Sequence, residues 1–138
     1  MKKALIIYQS RKGTTRKYGE AIATELENLG LRTVVKSINE IDISKPVDAE
    51  FVFLGCWTSG LFICMQHPEK AWVSFAKNLL IPNGTQMGLF TTYKLATGSM
   101  FSNMKKHIKN GNPISFELKS KNSNLSETDK KRIQLFLS

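Results

Sequence analysis

The chain has 138 residues, 41% of them hydrophobic, and a formal charge of +9 from 20 Lys and Arg against 11 Asp and Glu. This length fits one domain with a real core, and no apolar run reaches the ~18 residues of a membrane span. Two cysteines without a CxxC pair, and two histidines, give no metal-ligand spacing.

The positive charge favours anionic partners: nucleic acid, acidic proteins, anionic cofactors or a membrane surface. The cations are scattered from Lys2 to Arg132, so a plain solvated basic surface accounts for them equally well. The start, Met1-Lys2-Lys3 followed by Ala4 to Tyr8, is too short for a signal peptide and lacks a small-residue cleavage site. It reads as a first strand, and the expected location is the cytoplasm, with both cysteines reduced.

Taken in chain order, Lys3–Tyr8 is an apolar run of strand length. From Thr14 the period changes: Tyr18, Ile22, Leu26 and Leu29 share a helical face, and Gly30 suits the position after a helix end. Leu31–Ser37 reads as a second strand, and residues 38–50 hold at most one helical turn and a bend at Lys45-Pro46. Phe51–Cys56 (FVFLGC) is apolar on both faces, as a central strand of a covered parallel sheet is. Pro68 suits the first position of a second helix, with Ala71, Trp72, Phe75 and Leu79 as its buried stripe.

Pro82-Asn83-Gly84 predicts a turn and Gln86–Thr91 a fourth strand. Ser99–Lys109 carries Met100, Phe101, Met104 and Ile108 at helical spacing, closed by Gly111. Ile114, Phe116 and Leu118 alternate like an edge strand, and Ser126 with Asp129 resembles a capping box for a last helix through Leu137. Strands alternating with helices imply βαβ units and a mainly parallel, doubly wound sheet over the single domain 1–138. Ligands of such sheets bind outside the carboxyl ends of the strands, which brings together residues 9–15, 56–66 and 91–98.

The first of these loops places Ser10, Gly13, Thr14 and Thr15, with Arg11 and Lys12 between them, at a strand tip and a helix mouth. An anion there meets unpaired N–H groups and the positive end of the helix dipole. Gly13 permits close backbone approach, and the hydroxyls can donate to phosphate oxygens. The loop matches neither GxxxxGK[ST] nor GxGxxG, and a capped helix start explains it without any phosphate.

The S-x-x-G-x-T spacing of Ser10, Gly13 and Thr15, followed by a helix, resembles the flavodoxin family. There, T/S-x-T/S-G-x-T wraps the phosphate of flavin mononucleotide (FMN). Gly55-Cys56-Trp57-Thr58 resembles the family's G-x-P-T stretch, with Trp57 in place of the proline. Lys12 stands where Thr or Ser is usual, and Ser59 where an aromatic is common. The resemblance covers essentially the whole chain. It implies an α/β three-layer sandwich with a five-stranded parallel sheet in the order 2-1-3-4-5, and noncovalent FMN.

By this resemblance the FMN phosphate lies on Ser10, Arg11, Lys12, Gly13, Thr14 and Thr15. Arg11 and Lys12 are not demanded by the family pattern, and either pair with the phosphate or point to solvent. The ring falls to the second loop, Trp57, Thr58, Ser59, Gly60 and Phe62, and to the third, Thr91, Thr92, Tyr93 and Gly98, with Lys94 beside them.

Residues 51–68 carry no Asp, Glu, Lys or Arg. Their exposed apolar members, Trp57, Leu61, Phe62, Ile63 and Met65, either cover a flat ring, fold back as core or pack in a dimer. Tyr93 is a ring stacker or a surface aromatic at a sheet edge, and Cys56 is a buried inert thiol or a neighbour of the flavin. No side chain is required as acid, base or nucleophile, because the cofactor carries the redox chemistry. The resulting expectation is an electron carrier serving redox partner proteins, acidic ones included, as monomer or homodimer, with no nucleic acid. The alternatives are an FMN-dependent reductase or oxidase of a quinone or porphyrinogen, or a binding module that kept the fold without FMN.

Overall fold

The computed structural model describes residues 1–58, 68–94, 97–108, 114 and 116–138. Five strands form one sheet: β1 (Lys3–Gln9), β2 (Arg32–Ser37), β3 (Phe51–Trp57), β4 (Gln86–Thr92) and β5 (Phe116–Ser120). Their spatial order is β2-β1-β3-β4-β5, and every neighbouring pair is parallel. Helices α1 (Thr14–Asn28), α2 (Lys70–Asn78), α3 (Met100–Lys106) and α4 (Glu127–Leu137) are the crossovers and the closing element. This is the expected doubly wound sandwich and strand order.

Central β3 is buried from Phe51 through Cys56, because both its faces meet helices. On one face, Val52, Leu54 and Cys56 pack with Met87 and Leu89 of β4 against Trp72, Phe75 and Leu79, and against Met100 and Met104 of α3. On the other, Ile6, Phe53 and Phe90 pack against Tyr18, Ile22 and Leu26 of α1 and Ile133 of α4. Each such fully buried side chain contributes roughly 1.5–3 kcal/mol of transfer free energy. Gly55 is part of this packing: a Cβ there would lie 2.1 Å from the Phe90 ring, which fills the space the missing side chain leaves.

Three local expectations shift. Helix α2 begins at Lys70 with Glu69 as its N-cap, so Pro68 precedes the helix instead of opening it. Its buried residues include Trp72, Phe75 and Ala76, followed by Leu79 just past its end, while Ala71 is exposed. Ala71 sits one position, about 100° of helix rotation, off the stripe. Ile114 packs with the α2–α3 core while Phe116 and Leu118 face the α1–α4 core. It precedes the β5 ladder, so strand alternation does not govern it.

Helix α3 spans Met100–Lys106, with His107 as C-cap. The expected closure at Gly111 lies outside the described residues. After β2 the single turn is a 3₁₀ turn, Ile38–Glu40, closed by a capping box between Ser37 and Glu40. Among the described residues no helix is long and apolar enough to cross a membrane.

Candidate functional site at the carboxyl edge of the sheet

All five strands run the same way, so their carboxyl ends form one edge. There the turns after β1, β3, β4 and β5 lie side by side. At β1 the chain turns through Gly13, the N-cap of α1, with φ of 89°. That left-handed conformation suits glycine and is strained for a β-branched residue. A Cβ at Gly13 would meet nothing within 4 Å, so the space beside it is open to a ligand.

Ser10 Oγ accepts hydrogen bonds from the N–H groups of Gly13 at 3.0 Å and Arg16 at 3.4 Å. The first helical bond runs from Lys17 N–H to the Gly13 carbonyl. The N–H groups of Thr14 and Thr15 have no acceptor among the described residues. No acidic residue stands in the first turn of α1, whereas α4 begins with Glu127 and Asp129 and a Ser126 cap. Ser123 Oγ donates to the Thr14 carbonyl at 2.8 Å and braces this turn from the segment after β5.

The threonines expected at the site knit the strand ends together. Thr15 and Thr92 are buried, with their hydroxyls 2.7 Å apart, joining the first turn of α1 to the end of β4. Thr91 Oγ1 donates to the Cys56 carbonyl at 2.6 Å and lies 2.8 Å from Thr58 Oγ1. Thr58 N–H donates to the Thr92 carbonyl at 2.8 Å. Trp57, half-buried and the last residue of β3, therefore stands next to the β4 terminus, in register with Thr92.

Arg11 lies over the Trp57 ring, its guanidinium carbon 5.2 Å from the centroid. Lys12 and Lys94 are exposed. Tyr93 is half-buried and donates its N–H to the Ser120 carbonyl at 3.2 Å. Gly98 turns at φ of 48° just before α3, where Met100 N–H reaches the Thr97 carbonyl at 2.8 Å. Ser59, Gly60 and Phe62, with Leu61, Ile63, Cys64 and Met65, lie outside the described residues.

Two groups at this edge went unread in the sequence. Gln9 ends β1, donates its amide to Glu69 and accepts from the Cys56 thiol at 3.2 Å. Burial pushes the Cys56 thiol up to about 12, so at neutral pH it is a protonated, packed sulfur. Lys119 and Lys121 stand over the Tyr93 ring, 5.9 and 5.7 Å from its centroid. The only sequence signal for that pair is "KSK" at the end of the last strand, which becomes meaningful once β5 is known to lie beside β4. Among the described residues no cluster of His, Cys, Asp and Glu is suited to hold a metal ion.

The parallel doubly wound sheet defines a protein of the α/β class, and in such sheets ligands bind at the carboxyl edge, where an open helix N-terminus and two aromatic residues stand here. The family model for flavodoxin matches residues 6–109, and the chain belongs to the flavodoxin family. Solved structures agree on the fold. The two-electron reduced flavodoxin of Megasphaera elsdenii superposes with a TM-score of 0.73 at 19% identity, over 93% of each chain. Flavodoxin 2 of Bacillus cereus gives 0.72 at 18% identity, over 97% of this chain and 94% of that one. The flavodoxin of Streptococcus pneumonia TIGR4 gives 0.69 at 21% identity, over 97% and 94%.

Proposed function

We propose that this protein binds FMN noncovalently across the ends of β1, β3 and β4 and carries electrons between redox partner proteins in the cytoplasm. The observation that carries this reading is the Ser10–Thr15 turn. Its two N–H groups without acceptors among the described residues, the open face at Gly13 and an α1 first turn free of acids together fit a phosphate. Ser10 Oγ accepts from two further N–H groups of the same turn, and the Ser10 and Thr14 hydroxyls are within the same turn to donate to phosphate oxygens.

Trp57 and Tyr93, on adjacent strand ends, are the side chains to flank the ring, together with Thr58, Ser59, Gly60 and Phe62 from the family pattern. Arg11 now covers one face of Trp57, so stacking on that face moves its guanidinium toward the phosphate or solvent. Thr91 and Thr92 hold the strand ends in place through their hydrogen bonds, and Gly98 shapes the return to α3. FMN, when bound, supplies the one- and two-electron chemistry. The protein supplies anion binding, stacking and the charge around the ring.

Fluorescence-quenching titration with FMN and with riboflavin tests this. FMN should bind and riboflavin, lacking the phosphate, should bind at least tenfold more weakly. Gly13→Val, which strains the left-handed N-cap, should weaken FMN and leave riboflavin little changed. Equal affinities for the two flavins would sink the phosphate assignment. No binding of either would favour a binding module without FMN, the reading that Arg11 over Trp57 supports.

A further inference from the structure

The exposed charges at the ends of β1, β3, β4 and β5 are mostly cationic. The ends of β1, β3, β4 and β5 are adjacent, so at ~4.8 Å between strands they span about 15 Å. Along that line stand Arg11 and Lys12, Lys94, and Lys119 with Lys121. All five are exposed, and among the described residues none is in an ion pair.

Four cations elsewhere are paired, Arg16 with Glu20, Lys105 with Glu117, Lys130 with Glu127 and Arg132 with Asp129; the strip is set apart by its place at the strand ends, not by being the sole unpaired charge. The acids near this edge are fewer than the cations, and most stand aside from the line. Glu40 accepts from Ser37 N–H and Asp42 from Ser44 N–H, beyond β2 at the far side. Glu69 holds Gln9, and Glu127 and Asp129 are already paired. The rim is therefore a net positive strip that frames Trp57 and Tyr93.

We propose that this strip is a docking face for an acidic surface patch of a one-electron redox protein, with Arg11, Lys94, Lys119 and Lys121 as its central contacts. The inference rests on the FMN reading, because a partner must approach this edge to exchange electrons with a flavin held there. Like-signed, unpaired cations raise the local concentration of an acidic partner and orient its approach. Nucleic acid is the other polyanion to weigh. Single strands bind by stacking bases on bare aromatic faces, and on the FMN reading the flavin ring occupies the faces of Trp57 and Tyr93 that a base would need. An acidic protein surface needs the cations and not the ring faces.

The test uses one acceptor in two charge states: native cytochrome c, which is basic, and succinylated cytochrome c, whose lysines have become carboxylates. FMN-loaded protein, with occupancy fixed by absorbance, is photoreduced and mixed with each. One electron passes from the reduced flavin to ferric haem. Succinylated cytochrome c should be reduced faster at low salt, and its rate should fall at least tenfold between about 10 mM and about 0.5 M salt, as the Debye length shrinks from ~30 Å to a few Å. The native form should speed up over the same range. Lys119→Gln combined with Lys121→Gln should lower the succinylated rate at low salt and flatten its salt dependence.

A faster, salt-weakened reaction with native cytochrome c would overturn the proposal, as would an unchanged rate and slope in the double variant. If no FMN binds, the flavin reading fails on its own. Fluorescence anisotropy of labelled succinylated cytochrome c against the apoprotein then decides the docking face, and absence of salt-sensitive binding refutes it. Tighter binding of an oligothymidylate than of the acidic cytochrome, lost in the double variant, assigns the strip to nucleic acid and also refutes it.

Discussion

Thr15→Val removes one of two buried hydroxyls that satisfy each other across the candidate site. Thr15 is 1% exposed and Thr92 5%, and their oxygens are 2.7 Å apart. The variant keeps the side-chain shape and nearly the same helix propensity, but leaves the Thr92 hydroxyl buried without that partner. An unmade buried hydrogen bond costs ~1–3 kcal/mol, partly offset by the added methyl, for a net loss of about 1–2 kcal/mol. In urea, with an m-value of roughly 2 kcal/mol/M for a domain of this size, the midpoint should drop by about 0.5–1 M.

Thr92→Val should cost about the same. The double variant, with an apolar pair in place of the polar one, should recover most of the loss, for a coupling energy of roughly 2–3 kcal/mol. The assay is urea unfolding of all four proteins without flavin, followed by fluorescence and circular dichroism. Additive losses in the double variant, or single variants within ~0.3 kcal/mol of the wild type, would refute the tie between α1 and β4.

Tyr18→Phe should stabilise the fold by about 1 kcal/mol, because the Tyr18 hydroxyl is buried without a hydrogen-bond partner among the described residues; a lower thermal midpoint would contradict this. Burial raises the Cys56 thiol from 9.0 to about 12 and lifts the Tyr18 phenol above its ordinary value. Both groups hold their protons more tightly when folded, so stability is intact below about pH 9 and declines as pH rises beyond it, by up to ~1.4 kcal/mol per pH unit for each group. Urea midpoints between about pH 8.5 and about pH 10.5 should fall, and less so in Cys56→Ala; a flat profile would rule the linkage out. The exposed cations at the site should favour the anionic, fully reduced flavin. One unit charge at ~8 Å contributes between about 0.5 kcal/mol in water and roughly 2 kcal/mol at an effective dielectric of 20. Potentiometry of Arg11→Gln, Lys12→Gln and Lys94→Gln should show the last one-electron potential lowered by very roughly 20–90 mV each, and no lowering in any of the three would show their charge to be screened.

The sequence by itself determined the elements, the fold class and the position of the Ser10–Thr15 turn. Those rest on contacts between near neighbours in the chain: the helical stripe of Tyr18, Ile22 and Leu26, the continuous apolar run of β3, and a glycine at the mouth of α1. Hydrophobic periodicity and turn chemistry are local, so they are legible residue by residue. Ala71, Pro68 and Ile114 mark where that legibility ends, since one residue of offset at an element's start changes which face a side chain takes. The tertiary structure alone decided what meets across strands. Thr15 finds Thr92, Ser123 finds Thr14, Arg11 covers Trp57, and two lysines of β5 and its following turn bracket Tyr93. These partners are 26 to 109 residues apart, and only strand order and register bring them within reach. The same packing brought five cations from distant parts of the chain, Arg11, Lys12, Lys94, Lys119 and Lys121, to one edge, because the sheet gathers the ends of distant strands there.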